Sequence, residues 1–344
     1  MSFDMLGVDR RLADVVHGLD PYELVAGAHV VSLPMRVRFR GITTREAVLV
    51  RGPAGWGEFS PFPEYPPAEA AAWLASAVEA AYVGLPEPGA AAVPVNGTIP
   101  AVAADRVAAV VERCGECTTF KIKVAEKNQS LADDIARVER VRRLRPGAAI
   151  RVDANGGWTV AQAVDAACRL GELDYIEQPC ASAGELAEVK QQLLQRGIAT
   201  RIAADESVRR ADDPLAVIAA GAVDAVVLKV APLGGVRRMV AIARKAHAAG
   251  MTVTVASALD TAVGITGGLV AASLLPARAA GVGTGWLLAD DVAPARVSAG
   301  GMLACDTAEP DPAALARCAA PPERHKWWMN HLMASARALR AALG

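Results

Sequence analysis

Residues 118–126 read TTFKIKVAE. Phe120, Ile122 and Val124 alternate with Lys121 and Lys123, and side chains two apart along a β-strand share a face. The segment is therefore a strand with one apolar face and one face that carries two ammonium groups side by side. Two situations produce that pattern. An exposed edge strand uses lysines to discourage pairing with other chains. A site uses them when crowding between two cations lowers a lysine pKa until the amine works as a base. The choice depends on what the chain places beside this strand.

From residue 92 onward, β-rich runs alternate with helical ones. The runs are VPVNGTI (93–99), TFKIKV (119–124), AIRVDAN (149–155), DYIEQP (174–179), RIAADES (201–207), AVVLKVA (225–231), TVTVAS (252–257) and GVGTG (281–285). Between them lie segments such as SLADDIARVERVRRL (130–144), TVAQAVDAACRLG (159–171) and GGVRRMVAIARKAHAAG (234–250). Ser130 and Thr159 are N-cap residues, and Gly171, Gly221 and Gly250 mark helix ends. Alternation of this kind implies parallel strands with crossover helices. Eight units in about 210 residues predict a (β/α)8-type TIM barrel over 93–304. An open doubly wound sheet is the alternative, but the Gly-rich first turn of a dinucleotide fold is missing.

The first 92 residues have another texture. PMRVRFRGITTREAVLVRGPAGWGEFSP (34–61) predicts antiparallel strands with turns at Gly41 and Gly52–Gly55, and PAEAAAWLASAVEAAYVG (67–84) predicts a helix. This is an α+β unit ahead of the barrel. Residues 305–344 read as a Pro-rich link and a final helix at 324–343.

The 53% hydrophobic fraction of the 344 residues suits one or two domains with a large core. A net charge of −1 argues against a nucleic-acid or membrane-surface footprint. The uncharged run 261–277, which no other run exceeds, is short for a membrane span and holds three glycines. The N-terminus lacks a basic start followed by an apolar stretch, so a cytoplasmic location is expected. Cys114 and Cys117 have C-x-x-C spacing, yet no second pair completes a zinc site; they read as small residues at a helix-to-strand turn. The five histidines do not cluster.

Ionisable residues mark the ends of successive strands: Lys121 and Lys123, then Asp153, Glu177, Asp205 and Lys229, with 24 to 30 residues between strands. In a barrel, the C-terminal ends of all strands meet at one mouth, where the active site sits. Asp153, Glu177 and Asp205 together would repel one another without a cation. Oxygen ligands with no Cys or His select Mg²⁺ or a close relative such as Mn²⁺. Lysines flanking such an ion would lose basicity and could take a proton from a carbon next to a carboxylate. The ion would stabilise the enediolate that forms. Glu206 reads as a supporting group or cap. Arg36, Arg38 and Arg40 share one face of a cap strand, either as a substrate clamp or as a solvated face.

The set FKIKV, RVDANGGW, YIEQP, AADES and VLKVAPLGG resembles the K-x-K, D, E, D, K pattern of the enolase superfamily in its muconate-lactonizing subgroup. The resemblance covers nearly the whole chain. It implies an N-terminal α+β capping domain (1–92) completed by the C-terminal segment (305–344). It also implies Mg²⁺ (or Mn²⁺) on Asp153, Glu177 and Asp205, and proton abstraction alpha to a carboxylate by a lysine base. MRVRFRGITTREAVLVRGPAGWGEFSPFPEY (35–65), SALDTAVGI (257–265) and GVGTGWLLADDV (281–292) look like the actinobacterial o-succinylbenzoate synthases of menaquinone biosynthesis.

That resemblance implies syn-dehydration of a cyclohexadiene dicarboxylate, a small-molecule substrate. It gives Lys123 the role of base and acid, Lys229 that of the facing cation, and Lys121 that of holding the Lys123 pKa down. Asn155, Ser257, Gly283 and Gly285 become substrate-binding candidates. The same lysines would serve an N-succinylamino acid racemase or a dipeptide epimerase. A non-catalytic barrel that kept the fold is the rival of another class, and the complete set of six charged positions weighs against it. No nucleic-acid or membrane partner is expected, and nothing in the sequence sets an oligomeric state.

Overall fold

The computed structural model describes residues 10–209 and 214–344. The reading of a leaderless N-terminus rests partly on residues 1–9, which lie outside the described residues. Three antiparallel strands form the first sheet: β1 (Ala28–Phe39), β2 (Ile42–Gly52) and β3 (Gly55–Phe59). The β1–β2 turn is Arg40–Gly41, both at positive φ (50° and 79°). The helix Pro67–Val78 lies close on this sheet because glycine and alanine meet there. A Cβ on Gly57 would collide with the Ala77 carbonyl. The C-terminal helix Pro322–Leu343 packs on the same helix. Trp328 anchors it, edge-on to Phe59 at 6.1 Å between ring centroids, with its indole N–H donating to Glu46 at 3.1 Å.

β4 (Ala92–Pro94) stands apart from the barrel. Seven parallel strands follow in chain order within one sheet: β5 (Gly97–Ile99), β6 (Thr119–Lys123), β7 (Ala149–Asp153), β8 (Tyr175–Glu177), β9 (Ile202–Ala204), β10 (Ala225–Lys229) and β11 (Thr252–Ala256). β4 pairs antiparallel with β12 (Met302–Ala304). The expected strand 93–99 is thus two strands, parted at Asn96, whose side chain accepts from Arg151 Nη1 at 3.1 Å.

The sheet closes through two residues. Ala280 bridges Val95 and Gly281 bridges Ala256, both parallel. Ala280 N–H donates to the Pro94 carbonyl (2.8 Å) and Gly281 N–H to that of Val255 (2.7 Å). The eighth strand expected at 281–285 is reduced to this pair. The chain then turns into the 3₁₀ helix Gly285–Leu287, because Leu287 is drawn into the apolar core of the cap.

The crossover helices begin where side chains satisfy the free N–H groups of a first turn. Ser130, Thr159 and Ser182 each form a reciprocal capping box, with Asp133, Gln162 and Glu185 respectively. Inside the barrel, Tyr175, Ala203, Ala225, Val227 and Ala256 form an apolar layer. Below it, Asp174 joins Arg151 (2.9 Å) and Arg278 (2.6 Å). The N-terminal ends of the strands are therefore plugged by ions, and the opposite mouth is left for chemistry.

Two cap carboxylates fix the cap over that mouth. Glu79 accepts from Val236 N–H (2.5 Å) and Arg237 N–H (3.2 Å) at the start of helix Val236–Ala248. Glu58 accepts from Thr261 N–H (3.0 Å), Thr261 Oγ1 (2.5 Å) and Gly264 N–H (3.0 Å) at the start of helix Ala262–Ser273. Helix N-termini favour anions, and in this topology they follow the C-terminal ends of the strands. Among the described residues, no helix is long and apolar enough to cross a membrane.

Candidate active site

Parallel pairing brings the predicted residues together by register. Lys123 lies opposite Asp153, and Asp153 opposite Glu177, at the ends of β6, β7 and β8. Asp205 follows β9 directly, and Lys229 ends β10. In the closed order of strands, β6 and β10 stand half a turn apart, so Lys123 and Lys229 enter the mouth from opposite sides. All are buried: Asp153, Glu177 and Asp205 at 1% exposure or less, Lys123 at 8% and Lys229 at 7%. The lysine pair of β6 therefore lies in a site and not on a solvated edge.

Lys121 Nζ sits 3.1 Å from Asp153 Oδ2 and 2.9 Å from Glu177 Oε1. Lys123 Nζ donates to Asp153 Oδ2 at 2.5 Å and to Asn155 Oδ1, and it lies 5.2 Å from the centroid of the Phe39 ring. Lys229 Nζ donates to Asp205 Oδ2 at 2.5 Å. The two neighbouring lysines are driven in opposite directions. For Lys121, burial opposes the charge, but Glu177 and Asp153 outweigh it and raise the pKa well above the ordinary lysine value. For Lys123, burial wins, and the cationic Lys121 beside it adds to the lowering that Asp153 resists. The two neighbouring ammonium groups are thus split, Lys121 upward and Lys123 downward.

The carboxylates differ as well. Glu177 is pushed up to about 7, first by burial and then by repulsion from Asp153. Asp153 is held far below the usual carboxylate range, because Lys123 and Lys121 outweigh its burial.

Asn155 and Glu206 reach the site by a different route from the one expected. β7 ends at Asp153, and Asn155 takes positive φ (46°), so strand alternation does not place it. The turn brings its Oδ1 to Lys123, while its Nδ2 donates to Glu206 Oε1 at 3.2 Å. Glu206 opens the short helix Glu206–Arg209 and is not part of a strand. Gln178 was not singled out from the sequence. Its Oε1 accepts from the Asp205 and Ser207 N–H groups at 3.0 and 3.1 Å, which fixes the turn that carries Asp205.

The mouth encloses a cavity of about 30 Å³ among Lys121, Lys123, Asp153, Asn155, Lys229 and Ser257, closed from the cap by Phe39 and Arg40. Thr98, Ala256, Ala258, Leu259, Gly281 and Thr284 complete its walls. Of the three cap arginines only Arg40 lines it. Arg38 is exposed, and Arg36 donates to the Ala289 carbonyl at 3.2 Å.

Ser257 faces the cavity, and its Oγ is 2.7 Å from Thr284 Oγ1. Gly283 and Gly285 do not reach it. They line a separate cavity of about 470 Å³ under residues 286–298, because 281–285 is a turn, in which Gly281 and Thr284 face the mouth instead. No sequence signal marked Phe39, which depends on the hairpin tip folding back over the barrel.

Asp153, Glu177 and Asp205 stand at the ends of three adjacent strands, each within reach of a lysine. As the side chains stand, no group of three His, Cys, Asp or Glu among the described residues is gathered in metal-binding geometry. The three ammonium groups lie on the carboxylates instead. The donor chemistry nevertheless fits a hard divalent ion: three buried carboxylates on adjacent strands, with no thiol or imidazole among them.

The chain matches the enolase N-terminal domain-like family over residues 30–81 and the enolase C-terminal domain-like family over residues 102–307. It is 54% identical over 317 residues to an o-succinylbenzoate synthase of Mycolicibacterium smegmatis, covering 91% of this chain and 96% of that one. It is 53% identical over 322 residues to that of Mycobacterium tuberculosis H37Rv, covering 92% and 96%. A muconate lactonizing enzyme from Pseudomonas fluorescens superposes with a TM-score of 0.70 at 21% identity, over 85% of this chain and 98% of that one. The L-Ala-D/L-Glu epimerase from Bacillus subtilis does so with 0.67 at 21%, over 82% and 96%. With more than half its residues shared over nine-tenths of its length, the chain belongs to the o-succinylbenzoate synthase family of the enolase superfamily.

Proposed function

We propose that the chain catalyses the reaction of its family, the syn-dehydration of 2-succinyl-6-hydroxy-2,4-cyclohexadiene-1-carboxylate to 2-succinylbenzoate, a step of menaquinone biosynthesis. The observation that carries the mechanism is geometric: Lys123 and Lys229, both buried, enter one mouth from opposite sides, each on a buried carboxylate, Asp153 and Asp205, and burial lowers the Lys123 pKa. Lys123 as the free amine takes the proton from C1, next to the ring carboxylate. The C1–H electron pair moves onto the ring carboxylate as an enediolate, then returns to form the C1–C6 double bond as the C6–O bond breaks. The ammonium of Lys123 returns the proton to the departing hydroxide on the same face, so water leaves and the ring becomes aromatic. Lys229, half a turn away around the barrel, supplies positive charge to the opposite side of the ring.

Asp153, Glu177 and Asp205 would hold a divalent cation, Mg²⁺ or Mn²⁺. When bound, it supplies Lewis-acid stabilisation to the carboxylate of the deprotonated substrate. Lys121 fixes the register of Asp153 and Glu177 for that task. Asn155, Ser257 and Thr284 line the mouth and offer hydrogen bonds to the second carboxylate of the substrate. Phe39 and Arg40 close the mouth from the cap and Ser257, Ala258 and Leu259 wall it from the barrel, so the Phe39–Arg40 tip and the 257–259 wall part as the substrate enters.

Lysines on opposite sides of one mouth would also serve two-base racemisation, which is the second reading. One experiment separates them. The enzyme is given the cyclohexadiene acid, with and without EDTA, and loss of the diene absorbance is followed. N-succinyl amino acids are followed by polarimetry in parallel. Chelator-sensitive dehydration supports the proposal, and racemisation without dehydration would refute it.

A further inference from the structure

Arg45 lies on β2 of the cap, is 1% exposed, and touches none of the lysines or carboxylates of the mouth. Its hydrogen bonds go to backbone carbonyls. Nε donates to Leu259 at 3.0 Å, and Nη2 donates to Ser60 and, at 3.3 Å, to Ala258. Ala258 and Leu259 are wall residues of the catalytic cavity, next to Ser257. Leu259 holds φ at +64°, a conformation that costs a non-glycine residue about 1–2 kcal/mol and persists only when its surroundings impose it. The guanidinium on its carbonyl is such a constraint.

The same guanidinium reaches the other wall. Arg45 Cζ lies 4.6 Å from the centroid of Phe62, and Arg40 Cζ lies 4.5 Å from the same ring. Arg40 and Phe39 are the residues that close the cavity from the cap. Glu58 and Asp260 are the acidic groups facing Arg45, with Arg40 and the Tyr65 phenol nearby. Asp260 braces the segment from within, accepting from Ala258 N–H at 3.1 Å.

We infer that Arg45 is a positioning residue that sets both movable walls of the catalytic mouth, the barrel segment 257–259 through its carbonyls and the cap hairpin tip through Phe62. Closure of the two walls is thereby one event, because each is tied to the same planar group. Lysine in its place keeps the charge but cannot present the fork that spans three carbonyls. The inference rests on the reading of the mouth as the active site.

The test uses the full chain with Arg45→Lys, Arg45→Met and Phe62→Leu. Backbone hydrogen exchange is read alongside turnover of the cyclohexadiene acid at saturating Mg²⁺, well below the melting temperature. Arg45→Lys and Arg45→Met should speed exchange in peptides covering 38–43 and 256–262 and leave those of β7 and β10 unchanged. Phe62→Leu should speed it at 38–43 only. Arg45→Lys should recover melting temperature relative to Arg45→Met, yet both should lose about tenfold or more in kcat, with Mg²⁺ affinity within about twofold of wild type.

Unchanged exchange at both walls, or a kcat within twofold of wild type in Arg45→Lys, overturns the inference. If Arg45→Met does not fold, Arg45→Lys and Phe62→Leu decide it. If the wild-type protein does not turn over the diene acid, the functional reading fails, and the exchange pattern still decides whether Arg45 holds both walls.

Discussion

Lys121→Met isolates the electrostatics of the mouth from its chemistry. The Lys121 side chain is 11% exposed and bridges two carboxylates, Asp153 at 3.1 Å and Glu177 at 2.9 Å. Methionine matches its length but leaves both acids buried without that cation. Removing one partner of a buried pair costs about 3–5 kcal/mol. At ~2.1 cal/mol/K per residue, a chain of 344 residues has an unfolding entropy of about 0.7 kcal/mol/K, so the melting temperature should fall by roughly 4–7 °C. The raised Lys121 pKa keeps it charged throughout the neutral range, whereas Glu177 is pushed up to about 7, so the loss should grow as pH rises from about 6 to 9 and Glu177 ionises. Scanning calorimetry in EDTA reads it directly. Added Mg²⁺ should restore more of the melting temperature in the variant than it adds to wild type, because a cation takes over the neutralising role. A melting temperature within about 1 °C of wild type in EDTA would refute the view that Lys121 offsets the repulsion between Asp153 and Glu177.

Other outcomes follow from the cap and the ion. Glu58, pushed up to about 7 by burial and then by Asp260, holds in the folded state a proton that the unfolded chain loses near its ordinary value of 4.5. Stability should therefore fall as pH rises through that window, by at most about 1.4 kcal/mol per pH unit from this group, and level off above it. Urea midpoints for wild type and Glu58→Gln at about pH 5.5 and 7.5 check this, and parallel slopes would contradict it. In Gly264→Ala, the new Cβ would lie 2.7 Å from Glu58 Oε2 and 2.8 Å from Asp260 Cβ, displacing the helix cap at a cost of about 2–4 kcal/mol. Gly267→Ala meets nothing closer than 3.5 Å and should stay within about 1 kcal/mol of wild type in the same titration. Mg²⁺ should raise the melting temperature of wild type, and Asp205→Asn should abolish that rise.

The site was more legible in the sequence than the fold that completes it. Strand alternation and one βα interval suffice to bring Lys123, Asp153 and Glu177 into line, because parallel register is a local matter of matching strand ends. Asp205 and Lys229 follow from the same repeat. What could not be read depends on contacts between distant segments. The eighth strand shrinks to Ala280–Gly281 because Leu287 is claimed by the cap, and nothing within GVGTG signals that competition. Gly283 and Gly285 were placed by strand logic on a segment that turns. Asn155 was placed by alternation and arrives through a left-handed turn. Phe39, Leu259 and Arg45 acquire meaning only when the cap docks, over 200 residues from β2 to the loop it holds.

The most direct test of the account is turnover by Lys123→Ala with its metal site loaded. The variant should bind Mg²⁺ by calorimetry within about threefold of wild type, melt within a few degrees of it, and lose about 10³-fold or more in kcat, because no other free amine stands at the proton to be moved. A Lys123→Ala protein that dehydrates the cyclohexadiene acid at close to the wild-type rate would contradict it.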